Sequence, residues 1–308
     1  DKQCDEYIAI AEPNFEYLLE IIFEDIQNEK MTVPFEVWPD QSICSEDKPE
    51  QFIQAVKRIL EYLKSGDVFQ VNVSRAWRFT LANANNFAHD IYQRLCRQNP
   101  APFAGFLQFK NWSLISSSPE RLVSVKESRV QTRPIAGTRP RIQGENEQDM
   151  IDELIGHPKE RAEHVMLIDL ERNDLSRVCT PGSIIVDELM IIESYEHVHH
   201  IVSNVSGNLL PGSSPGQIIA AVFPGGTITG CPKVRCMEII AELEQTGRGP
   251  YTGAMGYLNR NGNLDLNILI RSLWLSEDTL QLRAGAGIVF DSVPEQELQE
   301  TRDKARGV

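Results

Sequence analysis

Three arginines crowd one short segment, residues 132–141, which reads TRPIAGTRPR. Pro134 and Pro140 fix their own φ and push the residues before them toward extended backbone. Gly137 admits close approach. Thr138 offers a hydroxyl, and Arg133, Arg139 and Arg141 surround it with positive charge. In a chain of net charge −14, that concentration on one rigid turn marks a place for a small anion. The competing reading is an exposed loop carrying ordinary surface arginines.

Carboxylates form the second candidate. Glu160 and Glu163 stand three apart on an expected helix, and Glu297 and Glu300 repeat that spacing near the C-terminus. Residues so spaced share a helical face. Two such faces opposed would suit Mg²⁺, which takes a few carboxylates, waters and an anionic ligand; read alone, they are solvated surfaces. Residues 224–233, PGGTITGCPK, place glycines, hydroxyls and a lysine directly ahead of a helix, a composition that favours anions. Pro232 before Lys233 and Val234 after it depart from the nucleoside-triphosphate loop pattern, so a carboxylate is the expected occupant.

Three smaller signals complete the set. Gly285 and Gly287 interrupt a strand pattern, where glycine marks either a bulge or close approach to a bound group. Arg271 interrupts an apolar strand pattern, and is either at an edge or aimed at an anion. His199 and His200 are adjacent in a strand, so their side chains face opposite sides and at most one lines a given cleft.

These residues belong to a chain of 308 residues, 41% hydrophobic and 24% charged, as in ordinary soluble globular proteins. The acidic balance argues against nucleic acid or an anionic membrane as partner. No apolar run is long enough to span a bilayer, and no secretory pattern is present. The six cysteines form no C-x-x-C pair, which disfavours zinc and points to reduced thiols in the cytoplasm. The chain begins without methionine, which points to a piece of a longer polypeptide.

Apolar periodicity predicts helices over 15–28, 50–64, 87–97, 148–154, 157–169, 214–222, 234–244 and 294–306. Residues 31–49 read as irregular. Strands are expected over 68–79, 103–109, 112–117, 122–132, 184–193, 197–209, 252–258, 264–276 and 279–290. In the first of these, Gln70, Asn72 and Ser74 share one face. Runs of neighbouring strands broken by helices predict an α+β fold rather than a doubly wound sheet.

The motifs GDVFQVNVSR (66–75), NPAPFAGF (99–106), SSSPERL (116–122), RPIAGTRPR (133–141), KERAEHVMLIDLERNDLSRV (159–178), HVHHIVSNVSG (197–207), FPGGTITGCPKVRCMEII (223–240), GYL (256–258), LNILIRS (266–272), GAGIV (285–289) and ELQETRDKA (297–305), taken in order, resemble the chorismate-utilising enzymes. The resemblance covers nearly everything from residue 50 onward. It implies two packed antiparallel sheets with flanking helices, residues 50–308 as the chorismate-binding catalytic domain, and 1–49 as the remnant of an N-terminal region packing on it. It places Mg²⁺ on Glu163 and Glu300 with Glu160 and Glu297 outside them, which displaces the solvated-surface reading. It assigns one substrate carboxylate to Arg271, Tyr257 and the Gly285 and Gly287 amides, and the ring carboxylate to the metal near Thr227 and Lys304. Glu120 becomes the general acid, His200 the active-site histidine, and Thr138 a lining residue.

Within the family, Gln70 stands where water-adding members carry a lysine that activates water. A neutral amide cannot serve as that base, whereas ammonia needs no deprotonation to attack. The resemblance is therefore to the ammonia-using branch, which receives ammonia from a separate glutamine amidotransferase subunit. Ala136 replaces a lysine nucleophile of many aminodeoxychorismate synthases and matches the anthranilate synthases. NPAPFAGF, QVNVS and FPGGTITG lean the other way, and the expected reaction is Mg²⁺-dependent amination of chorismate to 4-amino-4-deoxychorismate. Anthranilate formation is the alternative, and a non-catalytic partner-binding relative is the reading from another class.

Overall fold

The computed structural model describes residues 16–28, 43–81, 84–140, 156, 158–194 and 198–308. The chain divides into two units, residues 1–37 and 38–308. The described part of the first is helix α1 (Tyr17–Asn28), where periodicity predicts one. The expected helix at 148–154 lies outside the described residues.

The second unit holds strands β1 (Ile43–Glu46), β2 (Gln70–Thr80), β3 (Phe103–Gln108), β4 (Trp112–Ser118), β5 (Arg121–Lys126), β6 (Arg129–Thr132), β7 (Ile135–Pro140), β8 (Ile185–Ser194), β9 (Val198–Asn208), β10 (Gly230–Cys231), β11 (Gly256–Leu258), β12 (Leu264–Asn267), β13 (Ser272–Ser276) and β14 (Thr279–Ile288). Its helices are α2 (Pro49–Ser65), α3 (Ala88–Gln98), α4 (Pro158–Ser176), α5 (Pro215–Val222), α6 (Lys233–Glu244) and α7 (Pro294–Arg306). One seven-stranded sheet runs β1-β2-β14-β13-β4-β3 with β10 also on β2; the other runs β11-β12-β5-β6-β9-β7 with β8 also on β9. Every pairing is antiparallel, as the α+β expectation requires.

Local chemistry explains the helices. In α2, Pro49 opens the first turn, Phe52, Ala55, Val56, Ile59 and Leu63 form the buried stripe, and Gly66 at φ 79° closes the end by donating to Leu63 O. That stripe packs with Val71, Val73, Ala286, Ile288 and α6 residues Cys236 and Ile239 in one core. A second core joins α4 and α5 to the other sheet through Ile168, Leu175, Ile218, Val125, Val205 and Leu264.

Four sequence expectations change. The boundary at residue 49 moves toward the N-terminus, because β1 lies in the stretch read as irregular and pairs with β2. Four residues, ICSE, show too few repeats for alternation to register. The arginine-rich turn is strand β7, kinked by a bulge between Ala136 and Thr138 where Gly137 adopts φ 73°. Residues 122–132 form a hairpin, β5 and β6, not one strand. Residues 264–276 form β12 and β13, which lie in different sheets. Apolar residues on both sides of the crossing hide the break, and Arg271, at φ 52°, turns the chain there.

Candidate active site

A cleft of about 910 Å³ is lined from both sheets and by two helices. Gln70 and Asn72 of β2 and Arg283, Gly285 and Gly287 of β14 form its floor. Ala136 of β7 and His200 of β9 face it from the other sheet. Glu163 on α4 and Glu297, Glu300 and Lys304 on α7 stand around it, and loops add Glu120, Thr227, Tyr251 and Arg271.

The glycines are explained by the ladder. Gly285 sits opposite Ser74, and Gly287 opposite Asn72. The Ser74 N–H turns away from β14 to donate to Glu244 Oε1 at 2.8 Å, and the Asn72 N–H donates to Thr229 O at 2.9 Å. Both are therefore non-hydrogen-bonded pairs, and the two glycine N–H groups point to the other edge of β14. β13 covers that edge only as far as Leu282, so the amides open beside the cleft. A Cβ at 285 would sit 2.7 Å from Asn72 Oδ1 and 2.9 Å from the Tyr251 hydroxyl; one at 287 would collide with Gln70 Nε2.

Glu120 is buried on the loop after β4, and burial pushes its carboxyl pKa up to about 7. The Thr227 hydroxyl and the Lys304 charge oppose the rise. Thr227 Oγ1 is close enough to act on the carboxyl but falls short of hydrogen-bond geometry with any described residue. His200 is held below its ordinary value, first by burial and then by the charge of Arg271, against a backbone contact at Gly137 that raises it. It is neutral near pH 7. His199 faces away, fully buried, with its Nδ1 2.8 Å from Ser194 Oγ. One histidine lines the cleft, as the alternation requires.

Gln70 Nε2 donates to Glu163 Oε1 at 2.9 Å. Lys304 Nζ donates to Gly285 O at 3.0 Å and pairs with Glu300 at 2.6 Å. Arg271 Nη1 donates to Lys304 O at 2.9 Å, so the end of α7 steadies a guanidinium that burial surrounds. Among the described residues no three His, Cys, Asp or Glu side chains converge as a finished metal cage. Glu163, Glu297 and Glu300 nonetheless line one cleft from two helices, a donor set that fits a hard, oxygen-seeking cation. The side chains of Glu160 and Thr138 lie outside the described residues.

Two expectations are corrected. Tyr257 is 60% exposed on β11 and does not line the cleft; the tyrosine that does is Tyr251, 9% exposed, with burial pushing its pKa up to about 12. The signal separating them is the turn before β11, where Thr252 takes φ 65° and its N–H donates to Leu269 O at 2.8 Å. The anion role of the arginine segment also falls for Arg133, which is neutralised by Glu188 and Glu193 of β8. The side chains of Arg139 and Arg141 lie outside the described residues.

The glycine-rich loop at 224–233 does hold a carboxylate, but the chain's own. Lys233 Nζ pairs with Asp174 of α4 and donates to Val222 O at 2.9 Å. A Cβ at Gly226 would collide with Leu170, and Thr229 Oγ1 donates to Gly225 O at 2.8 Å. The loop is thereby fixed to α4, leaving Thr227 toward the cleft. Asp174 is 1% exposed, and Lys233→Met leaves its charge only the longer contact to Arg177 at 3.9 Å. The expected loss is about 3 kcal/mol of unfolding free energy, read by denaturant titration.

Glu171, one turn beyond Leu167 on α4, is a second buried carboxyl whose pKa burial pushes up to about 7; Lys233 draws it down, and Asp174 and Glu120 raise it. The folded state thus keeps protons on Glu120 and Glu171 between the ordinary carboxyl pKa and 7, where the unfolded chain has lost them. Unfolding releases protons in that window, so stability falls as pH rises through it and levels off above 7. The drop is up to about 3 kcal/mol per group. Glu171→Gln, which keeps the shape but cannot ionise, should cut the slope between pH 5 and 8 by about half in denaturant titrations, Glu120 supplying the rest.

Sequence reasoning missed Tyr251, Arg283 and the pair Glu244–Arg248, which stands four apart at the end of α6. Strand alternation from Gly285 back to Arg283 was the available signal for one of them.

The sequence and the fold match a known family. The chain belongs to the chorismate binding enzyme family, whose model matches residues 7–308. It is 51% identical over 255 residues to aminodeoxychorismate synthase component 1 of Bacillus subtilis (strain 168), covering 82% of this chain and 54% of the relative. It is 47% identical over 263 residues to an anthranilate synthase component I-like protein of Synechocystis sp. (strain PCC 6803), covering 84% and 53%. The chain spans about half the length of these curated relatives. Anthranilate synthase component I from Streptococcus pneumoniae TIGR4 superposes with a TM-score of 0.82 at 35% identity, covering 96% of this chain and 66% of that one. No helix among the described residues is long and apolar enough to cross a membrane.

Proposed function

We propose that this chain catalyses the amination of chorismate with ammonia to 4-amino-4-deoxychorismate, the ammonia coming from a separate glutamine amidotransferase subunit. The observation that carries the choice of nucleophile is Gln70, whose amide lies on the cleft floor against Glu163. It offers no base for water. Gln70 Oε1 and Asn72 Oδ1 are buried acceptors without partners among the described residues, and ammonia brings the N–H groups they lack. The 51% identity to aminodeoxychorismate synthase component 1 favours this product.

Chorismate carries two carboxylates, and the cleft has separated poles for them. Arg271 with the Gly285 amide receives one. The ring carboxylate faces the acidic helices, where Mg²⁺ on Glu163 and Glu300, with Glu160 and Glu297 outside, would supply the compensating charge. Protonated Glu120 gives its proton to the C4 hydroxyl, which leaves as water while the ammonia lone pair forms the C–N bond. The new ammonium returns a proton to Glu120, so each turnover consumes one chorismate and one ammonia and yields one amine and one water. Ala136 offers no amine for a covalent relay. Ammonia therefore attacks C4 directly, or adds at C2 and is displaced by a second ammonia at C4.

Ala136 also favours a second reading, anthranilate formation. Purified protein with chorismate, Mg²⁺ and ammonium should yield a product that aminodeoxychorismate lyase converts to 4-aminobenzoate. Fluorescent anthranilate appearing without lyase overturns the assignment, and chorismate binding without any amine product favours the non-catalytic reading.

A further inference from the structure

On the cleft face of β14, positions 283, 285 and 287 follow one another about 7 Å apart. Two are glycines; the third is Arg283, which lines the cleft and is 3% exposed. Its Nε and Nη2 donate to Ser74 Oγ at 3.2 and 2.9 Å, and Nη2 donates to Glu244 Oε2 at 2.9 Å. Nη1 is buried and has no partner among the described residues. Glu244 is shared: Arg248 donates to its Oε1 at 2.7 Å and to its Oε2 at 3.1 Å.

Two guanidiniums on one buried carboxylate leave a positive charge uncompensated. Asp47, the other acid whose field reaches Arg283, is held by Arg78 at 2.6 Å and the Ala76 N–H at 2.8 Å. Tyr251, with its pKa near 12, stays neutral and cannot balance it. An uncompensated buried cation and an unmade hydrogen bond are both costly, and an anionic oxygen arriving in the cleft relieves both. Along β14, Arg283 lies on the far side of Gly285 from Gly287, whose neighbours are Gln70 and Glu163. The surplus charge therefore sits at the end of the floor remote from the acidic helix α4.

We propose that Arg283 is a substrate-recognition residue, its Nη1 donating to the substrate carboxylate that Arg271 and the Gly285 amide receive, so that two guanidiniums clamp it beside the Tyr251 hydroxyl. The inference rests on the reading that chorismate occupies this cleft. It distinguishes a dicarboxylate bound at both ends of the floor from one held at the metal end alone.

Arg283→Gln keeps a polar side chain but removes the charge and the fork. Titration calorimetry with chorismate and Mg²⁺ should show affinity falling 10- to 100-fold, with the steady-state KM for chorismate rising in step. The ammonium KM should stay unchanged and kcat within about threefold. Unchanged chorismate affinity in a folded Arg283→Gln protein overturns the proposal. Should that variant fail to fold, Arg283→Lys keeps a cation for Glu244 while losing the second donor arm, and the same titration applies, with a loss supporting the clamp and no loss overturning it. A wild-type protein that binds no chorismate overturns the substrate reading first, and the clamp falls with it.

Discussion

Glu120→Gln is expected to lower kcat for chorismate amination by about a thousandfold while leaving chorismate affinity within a few-fold, because general acid catalysis contributes roughly 10²–10⁴. The hydroxyl of a ring diene leaves poorly unless it is protonated as the bond breaks. Burial lifts the pKa of the Glu120 carboxyl to about 7, so it still holds a proton where an exposed carboxylate has lost it. Glutamine has the same shape and can donate a hydrogen bond, but it cannot deliver a proton. The pH profile supplies a second signature. Activity that needs protonated Glu120 declines as pH rises through about 7, and the residual activity of Glu120→Gln should lack that limb. Stopped assays across pH 5.5–8.5, paired with chorismate titration, read both. A variant that keeps wild-type kcat removes Glu120 from the acid role.

Replacing Arg271 is the second large effect, and the backbone offers an unusual control. Arg271 holds φ 52°, a region that costs a side-chain-bearing residue about 1 kcal/mol or more and glycine almost nothing. Arg271→Gly therefore relieves strain while deleting the guanidinium. Its unfolding free energy should stay within about 1 kcal/mol of wild type, the relief offsetting the hydrogen bond lost to Lys304 O. Arg271→Ala keeps the strain, loses the same bond and should be less stable than the glycine variant by about 1 kcal/mol. Both should lose chorismate affinity by roughly 10²–10³, the worth of a charge-assisted, two-armed carboxylate contact. Denaturant titration and calorimetry on the two variants separate folding from recognition. Equal affinity in all three proteins would remove Arg271 from the site.

Parts of this site are legible in the chain because they obey a local period. Alternation alone places Gln70, Asn72 and Ser74 on one face, and the structure keeps all three on the cleft side of β2. The same period separates His200 from His199, and helical spacing puts Glu297 and Glu300 on one face of α7. Other parts are illegible because no local rule reaches them. Tyr251 and Tyr257 are six residues apart in the same short stretch, and only the turn through Thr252 decides which enters the cleft. Lys233 carries the composition of an anion loop, yet Asp174, distant in sequence, takes its charge. Glu244 and Arg248 stand four apart and pair with each other, and the strand that brings Arg283 to them makes the pair a net-positive cluster.

By itself the sequence determined the antiparallel α+β character, the helical stripes and the ordered motifs of the chorismate-binding family, since each depends on periods of two or 3.6 residues or on short runs of residues. Only the tertiary structure decided where the chain leaves one sheet for the other at Arg271, which tyrosine is buried, and which carboxyls lose their water. Those outcomes depend on burial and on the fields of charges brought together from distant segments, and a proton held near pH 7 on Glu120 is a property of that packing rather than of the residue type.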